Sequence, residues 1–329
     1  MRRWLAAAQV LALATVPIVL SAQPRMLKLV STAWPPFTNG EGQPRFALDL
    51  VENALGRLHL SSMTTIVSPS DYEAKLLSGD FDGSAAAWRD PIREHVLLFS
   101  RPYLENRLVL VGRHGADVSA TTLSALKGRR IGIVEGYSYG AVIEGSGPVW
   151  VRTSHEEDSL SELLQGHVDY ALIDELVVTY LIANHPQEAA ARLQIGAAPV
   201  LTRELYFAVS RTRHDAESIV NGFNTQIRNM IKDRTYHKLL HVAWISADIN
   251  GDGVPELIPA SDHPGPAAPT HSYSLFSLPA GTTLDGTKES VFVGGKVYDS
   301  WSAVPDSYKK WDPTQPDPRQ VSPIFKFVW

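Results

Sequence analysis

The 329-residue chain predicts an α/β protein of two similar lobes joined by a hinge, followed by an extension of different texture. Three observations carry that expectation. Short apolar runs alternate with helical periodicity in the order β-α-β-α-β, the signature of a doubly wound sheet. A strongly apolar run at 108–111 leaves this first unit, a second unit of the same kind follows, and another run at 205–209 brings the chain back, so two crossings make a hinge with a cleft between lobes. From about Asp248 helical periodicity disappears, and prolines, glycines and scattered aromatics take over.

The elements follow in order. Arg2 and Arg3 precede an almost uncharged apolar stretch at 5–20, and Ser21-Ala22 supplies small residues for cleavage. That is the layout of a secretory signal peptide over residues 1–22. Gln9, Pro17 and the short apolar length argue against a membrane anchor. Residues 26–32 read as a strand around Leu27, Leu29 and Val30. Trp34-Pro35-Pro36-Phe37 ends it, because consecutive prolines stop pairing and hold the chain extended, which fixes Trp34 just past the strand's end. Residues 46–58 set Leu50, Ala54 and Leu58 on one helical face. A strand at 64–67, a short helix at 72–77 and a strand at 82–87 complete the first unit.

In the second unit a helical turn at 123–126 precedes a strand at 130–134 and a helix beginning at 139–144. A helix at 159–164 is ended by Gly166, a strand spans 170–173, and a helix at 176–184 is closed by Pro186. Helices at 217–231 and 236–241 follow the return. The expected division is residues 25–110 with 208–245 as lobe one, 111–207 as lobe two, and 246–329 as the extension. With Tyr273, Phe276, Phe292, Tyr298, Trp301, Tyr308 and Trp311, that extension is too aromatic for a disordered tail, so a mostly β or irregular layer packed on a lobe is expected.

Composition narrows the function. The formal net charge is −5, and no clustered basic run offers a footprint for nucleic acid. The absence of cysteine excludes disulfides, thiolate metal sites, a cysteine nucleophile and a lipid-modified N-terminal cysteine. No cofactor is required. One motif could hold a structural calcium: Asp248, Asn250, Asp252 and Glu256 place oxygens at alternate positions, and Gly253 permits a sharp turn. The twelfth position is Pro259, so the bidentate glutamate of an EF-hand is missing and Glu256 would close a shorter ring, as in the calcium loops of β-propeller-type repeats. The loop reads equally as an acidic glycine turn without an ion.

A set of short motifs then falls into a familiar order. They are Trp34-Pro-Pro-Phe37; Phe46-Ala-Leu-Asp49-Leu50; Ser78-Gly-Asp-Phe-Asp82-Gly83; Ile92-Arg93-Glu94 with Phe99-Ser100-Arg-Pro102-Tyr103; Leu126-Lys-Gly-Arg-Arg-Ile-Gly132 with Glu135-Gly136; and Gly166-His-Val-Asp169-Tyr-Ala-Leu-Ile-Asp174. In order and spacing, over about two thirds of the chain, they resemble the family 3 periplasmic solute-binding proteins, receptors for polar amino acids in ABC importers. The resemblance implies a type II-like periplasmic binding protein fold, a periplasmic monomer, a small amino-acid-like solute and a membrane permease as partner.

The chemistry of such a solute agrees. A carboxylate and an ammonium at fixed separation call for a cationic fork, a facing carboxylate and apolar walls. Arg93 lies just past the third strand, at the edge where α/β sheets bind ligands. It stands six residues before Phe99-Ser100, as does the family's arginine that grips the ligand carboxylate. The resemblance gives Asp174 the ligand ammonium; the same position also suits an N-cap for the helix that follows. Ser138 and the backbone around Tyr137 would complete the anion site from lobe two. Trp34 matches the family's stacking aromatic. Tyr137 and Trp88 depart from it, and the loop before Arg93 is one residue short. Two Trp walls suit a flat, aliphatic or cationic side chain. Aspartate and glutamate are disfavoured, since a second carboxylate finds no spare cation. An enzyme on this scaffold would need an acid or base over the ligand, and Glu135 and Glu175 show no His or Lys partner. A sensor that signals rather than feeds a transporter is the alternative.

Overall fold

The computed structural model describes residues 26–143, 145, 147–184, 191–240, 242–269, 272–275 and 289–311. The expected signal segment at 1–22 and Phe276 lie outside them. The first unit contains β1 (Met26–Thr32), α1 (Phe46–Gly56), β2 (Ser61–Val67), α2 (Pro69–Leu77), β3 (Gly83–Trp88), α3 (Pro91–Val96) and β4 (Leu97–Phe99). β5 (Leu104–Arg113) leads into the second unit: β6 (Arg130–Val134), β7 (Val149–Thr153), α4 (Glu156–Gln165), β8 (Tyr170–Asp174) and α5 (Glu175–Asn184). β9 (Leu193–Ser210) returns to α6 (Ala216–Lys232) and α7 (Thr235–Leu240). The extension supplies β10 (Trp244–Ala247), β11 (Glu256–Pro259), β12 (Tyr273–Ser274), β13 (Val291–Val293) and β14 (Lys296–Tyr298).

One sheet runs through both lobes in the order β2-β1-β3-β9-β5-β8-β6-β7, with β4 also paired to β9. β1 is parallel to β2 and β3, and β6 is parallel to β7 and β8. Each lobe is thus a small parallel sheet with helical crossovers. The two long antiparallel strands β5 and β9, paired from Leu104↔Leu205 to Arg113↔Leu193, join them. They are the hinge. Gly83 marks where β3 meets β9: a Cβ there would lie 1.9 Å from the Ala208 carbonyl oxygen, so only glycine fits.

Alternation buries Leu27 and Leu29 of β1 against Phe46, Leu50 and Ala54 of α1. α6 adds Ile219, Phe223 and Ile227 from one face, which ties the returning chain to lobe one. The extension forms its own five-stranded sheet, β12-β10-β11-β13-β14, around a satellite core of Trp244, Leu257, Val291, Val293 and Trp301. It also reaches the hinge. The Glu105 N–H donates to the Tyr273 hydroxyl at 3.1 Å, and that hydroxyl donates to the Glu105 carbonyl at 2.7 Å. Among the described residues no helix is long and apolar enough to cross a membrane.

Several local expectations are corrected. Residues 34–38 fold back rather than run extended, since Trp34 and Thr38 exchange backbone hydrogen bonds at 2.7 and 3.0 Å. The helix expected at 139–144 is only a 3-10 turn at Ala141–Ile143. α1 stops at Gly56, which leaves Leu58 beyond it. β4, β7, α3 and the first half of β9 are additional.

Candidate functional site

The site grows from the end of β3. Asp90 caps α3, its Oδ1 accepting the Arg93 N–H at 2.9 Å, and Pro91 opens the helix with φ already set. Arg93, held in that one turn, is buried, with only 2% of it exposed. Its Nη1 donates to the Trp88 carbonyl at 3.0 Å. Asp90 Oδ2 lies 3.2 Å from Nε and Glu73 Oε2 lies 3.8 Å from Nη2, as ion pairs without hydrogen-bond geometry. The Tyr72 ring covers the guanidinium, 5.5 Å from its centroid. A buried fork whose Nε–Nη2 edge makes no hydrogen bond is suited to a planar oxyanion.

Aromatic rings from both lobes close over it. Trp34 meets Trp88 and Tyr137 edge-on at 5.7 Å each, and Trp88 meets Tyr137 at 5.8 Å. Arg203, on the hinge, sits over the Trp88 ring at 5.6 Å. Ser138 donates its hydroxyl to Asp90 Oδ2 at 2.7 Å, from lobe two to lobe one. Trp34, Trp88, Arg93, Tyr137 and Ser138 all line one cavity between the lobes, about 30 Å³ in volume. That is room for roughly one water. Two larger grooves lie outside the cleft, one beside Arg89 and Arg211 and one beside Asn224 and Asp252; neither contains a buried cation.

Asp174 is not among the lining residues. It is 3% exposed, at the end of β8. Its Oδ1 accepts the Leu176 N–H at 2.8 Å, capping α5, while Oδ2 accepts Asn106 Nδ2 and the Arg107 N–H at 3.1 Å each. Asn106 in turn accepts the Trp88 indole N–H at 2.7 Å. The carboxyl therefore stands behind Trp88, and the N-cap role is the one its bonds display. Burial pushes it up to about 7, against the pull of those hydrogen bonds. Asn106, Arg203 and Glu156 are site neighbours that sequence reasoning missed. Glu156 is buried beside Tyr137, and burial raises its carboxyl to about 7. Asn106 stands in the polar stretch Glu105-Asn106-Arg107 just before the apolar run at 108–111, where nothing in the sequence marks it as buried. Glu175 pairs with Arg107 at 2.8 Å, and Glu135 is exposed, so neither is poised over the cavity.

The acidic loop folds on itself. Asp248 accepts the N–H groups of Gly251 and Gly253, and Asp252 accepts that of Val254. Asn250 Nδ2 donates to Asp252 and Glu256 at 3.0 and 2.9 Å, and Glu256 accepts the Ile249 N–H. Among the described residues no group of three or more His, Cys, Asp or Glu is placed to hold a metal ion. The side-chain oxygens of Asp248, Asp252 and Glu256 thus accept backbone and amide N–H groups within the turn.

Residues 28–246 match the model of the bacterial extracellular solute-binding proteins, family 3, and the chain belongs to that family. It is 26% identical over 151 residues to a protein of Escherichia coli (strain K12), provisionally named arginine-binding protein 2 of an ABC transporter; the match covers 45% of this chain and 60% of that one. It is 26% identical over 159 residues to the virulence sensor protein BvgS of Bordetella pertussis, covering 47% of this chain and 12% of the sensor. The chain thus spans less than two thirds of either relative. Among solved structures, an ancestral arginine-binding protein bound to arginine superposes with a TM-score of 0.56 at 23% identity, over 67% of this chain and 98% of that one. The fold is accordingly the two-lobed periplasmic binding protein fold.

Proposed function

We propose that this protein closes its lobes around a small amino-acid-like solute in the periplasm and delivers it to the permease of an ABC importer. The buried Arg93 fork, with its Nε–Nη2 edge free of hydrogen bonds at the interlobe cavity, carries this reading. The solute carboxylate takes that edge, and the Trp34, Trp88 and Tyr137 rings wall the rest. The names of the Escherichia coli relative and of the ancestral protein make L-arginine the first solute to test. A cationic side chain also suits Trp walls. The protein acts in this reading as a receptor that returns its solute unchanged, in keeping with its solute-binding family.

Sensing is the second reading, favoured by the match to BvgS. Calorimetry against L-arginine and the other proteinogenic amino acids, with mass analysis of the recovered solute, tests the receptor. Solute returned unchanged supports it, and altered solute overturns it. Stimulation of a reconstituted permease's ATPase then separates transport from sensing.

A further inference from the structure

Arg93 already has an anion beside it, and that anion belongs to the chain. Asp90 Oδ2 lies 3.2 Å from Arg93 Nε in lobe one and accepts the Ser138 hydroxyl of lobe two at 2.7 Å. A solute carboxylate in the closed cleft would use the same two groups, a cationic edge on one side and a hydroxyl on the other. We propose that Asp90 is a built-in surrogate for the solute's carboxylate, which latches the lobes together when no solute is present and which the solute must displace. The inference rests on the reading of this cleft as the solute site.

Three observations support the latch beyond the contact itself. The lobes touch: Gly136 of lobe two approaches Pro69 at the start of α2 so closely that a Cβ would lie 2.7 Å from its carbonyl oxygen. The cavity left behind them is about 30 Å³, far below the roughly 300 Å³ at the low end of small-molecule sites. The latch is also oriented from within its own lobe. Asp90 Oδ1 is held by the Arg93 N–H, which aims Oδ2 across the cleft, and the side chain is only 13% exposed. Exchanging one carboxylate for another leaves the buried guanidinium neutralised in both states, so no uncompensated charge arises on either side. Affinity is then set partly by Asp90, because a solute that needs the open form binds with its intrinsic affinity scaled by the open fraction.

Small-angle scattering without solute tests this on the wild type, Asp90→Asn and Ser138→Ala. Asn retains an oxygen for the Arg93 N–H, so α3 keeps its cap. The wild-type curve should fit the closed structure, and both variants should show a larger radius of gyration. Asp90→Asn should also bind the recognised amino acid more tightly, by about tenfold for a wild type nine-tenths closed. L-Arginine is the first probe, followed by the other proteinogenic amino acids. Equal radii of gyration in all three proteins, or an open wild type, would overturn the latch. Variants that expand but bind no amino acid would uphold the latch and overturn the proposed solute.

Discussion

The Trp88 indole N–H donates to Asn106 Oδ1 at 2.7 Å, and the other end of that amide donates to Asp174 at 3.1 Å. The wall of the cleft, the hinge strand and the cap of α5 are thereby one buried chain of hydrogen bonds. Replacing Asn106 with Leu should leave the indole without an acceptor and Asp174 short of a donor. At about 1–3 kcal/mol for each of the two buried groups, the loss should be about 2–6 kcal/mol in denaturant unfolding. A loss below about 0.5 kcal/mol would mean the chain is not structural.

Acidity should stabilise this protein. Burial raises Asp174, Glu105 and Glu156 to about 7 from ordinary values of 3.8, 4.5 and 4.5. Between roughly pH 4 and 7 the folded state therefore holds more protons than the unfolded chain, so stability falls as pH rises through that window. The melting midpoint should be higher at pH 5 than at pH 8. Asp174→Asn keeps an oxygen for the Leu176 N–H and should flatten the slope. A midpoint rising from pH 5 to 8 would contradict the assignment.

Arg93→Ala should abolish most binding. Deleting one partner of a buried charge pair costs about 2–5 kcal/mol, enough to take a micromolar receptor near −8 kcal/mol almost out of measurable range. Calorimetry on folded variant protein decides this, and full affinity would move the anion site elsewhere.

The acidic loop should ignore calcium. Its oxygens already accept N–H groups within the turn, so melting midpoints with excess calcium and with chelator should coincide. A midpoint raised by calcium, with the rise lost in Asp252→Ala, would establish the ion-binding reading instead.

Much of this architecture was legible because alternation and helical period report burial locally. β1 shows its buried Leu27 and Leu29 and α1 its Phe46 and Leu50, whatever lies opposite. The first half of β9 was hidden because Gly196 and Pro199 interrupt it, and its partner β5 lies some ninety residues earlier, across two register shifts. The turn at Ala141–Ile143 looked helical from its apolar residues, but Gly136 and Gly140, both at positive φ, shape the chain before it. Arg93 was readable from its place after β3. The surroundings of Asp174 were not, because Asn106 reaches it only through the pairing of β5 with β8, where Leu108 stands opposite Asp174.

Tyr273 grips the main chain of Glu105 on both its N–H and its C=O. The extension is therefore moored at the fulcrum of the molecule and, through His237 and Arg234 against Ile258 and Asp262, to lobe one. If the jaws swing as proposed, distances should change most at their tips and least at the pivot, so the extension's strands should ride through that closure as one undeformed body. A dye on the extension would serve as the still reference against which the swing of lobe two is measured.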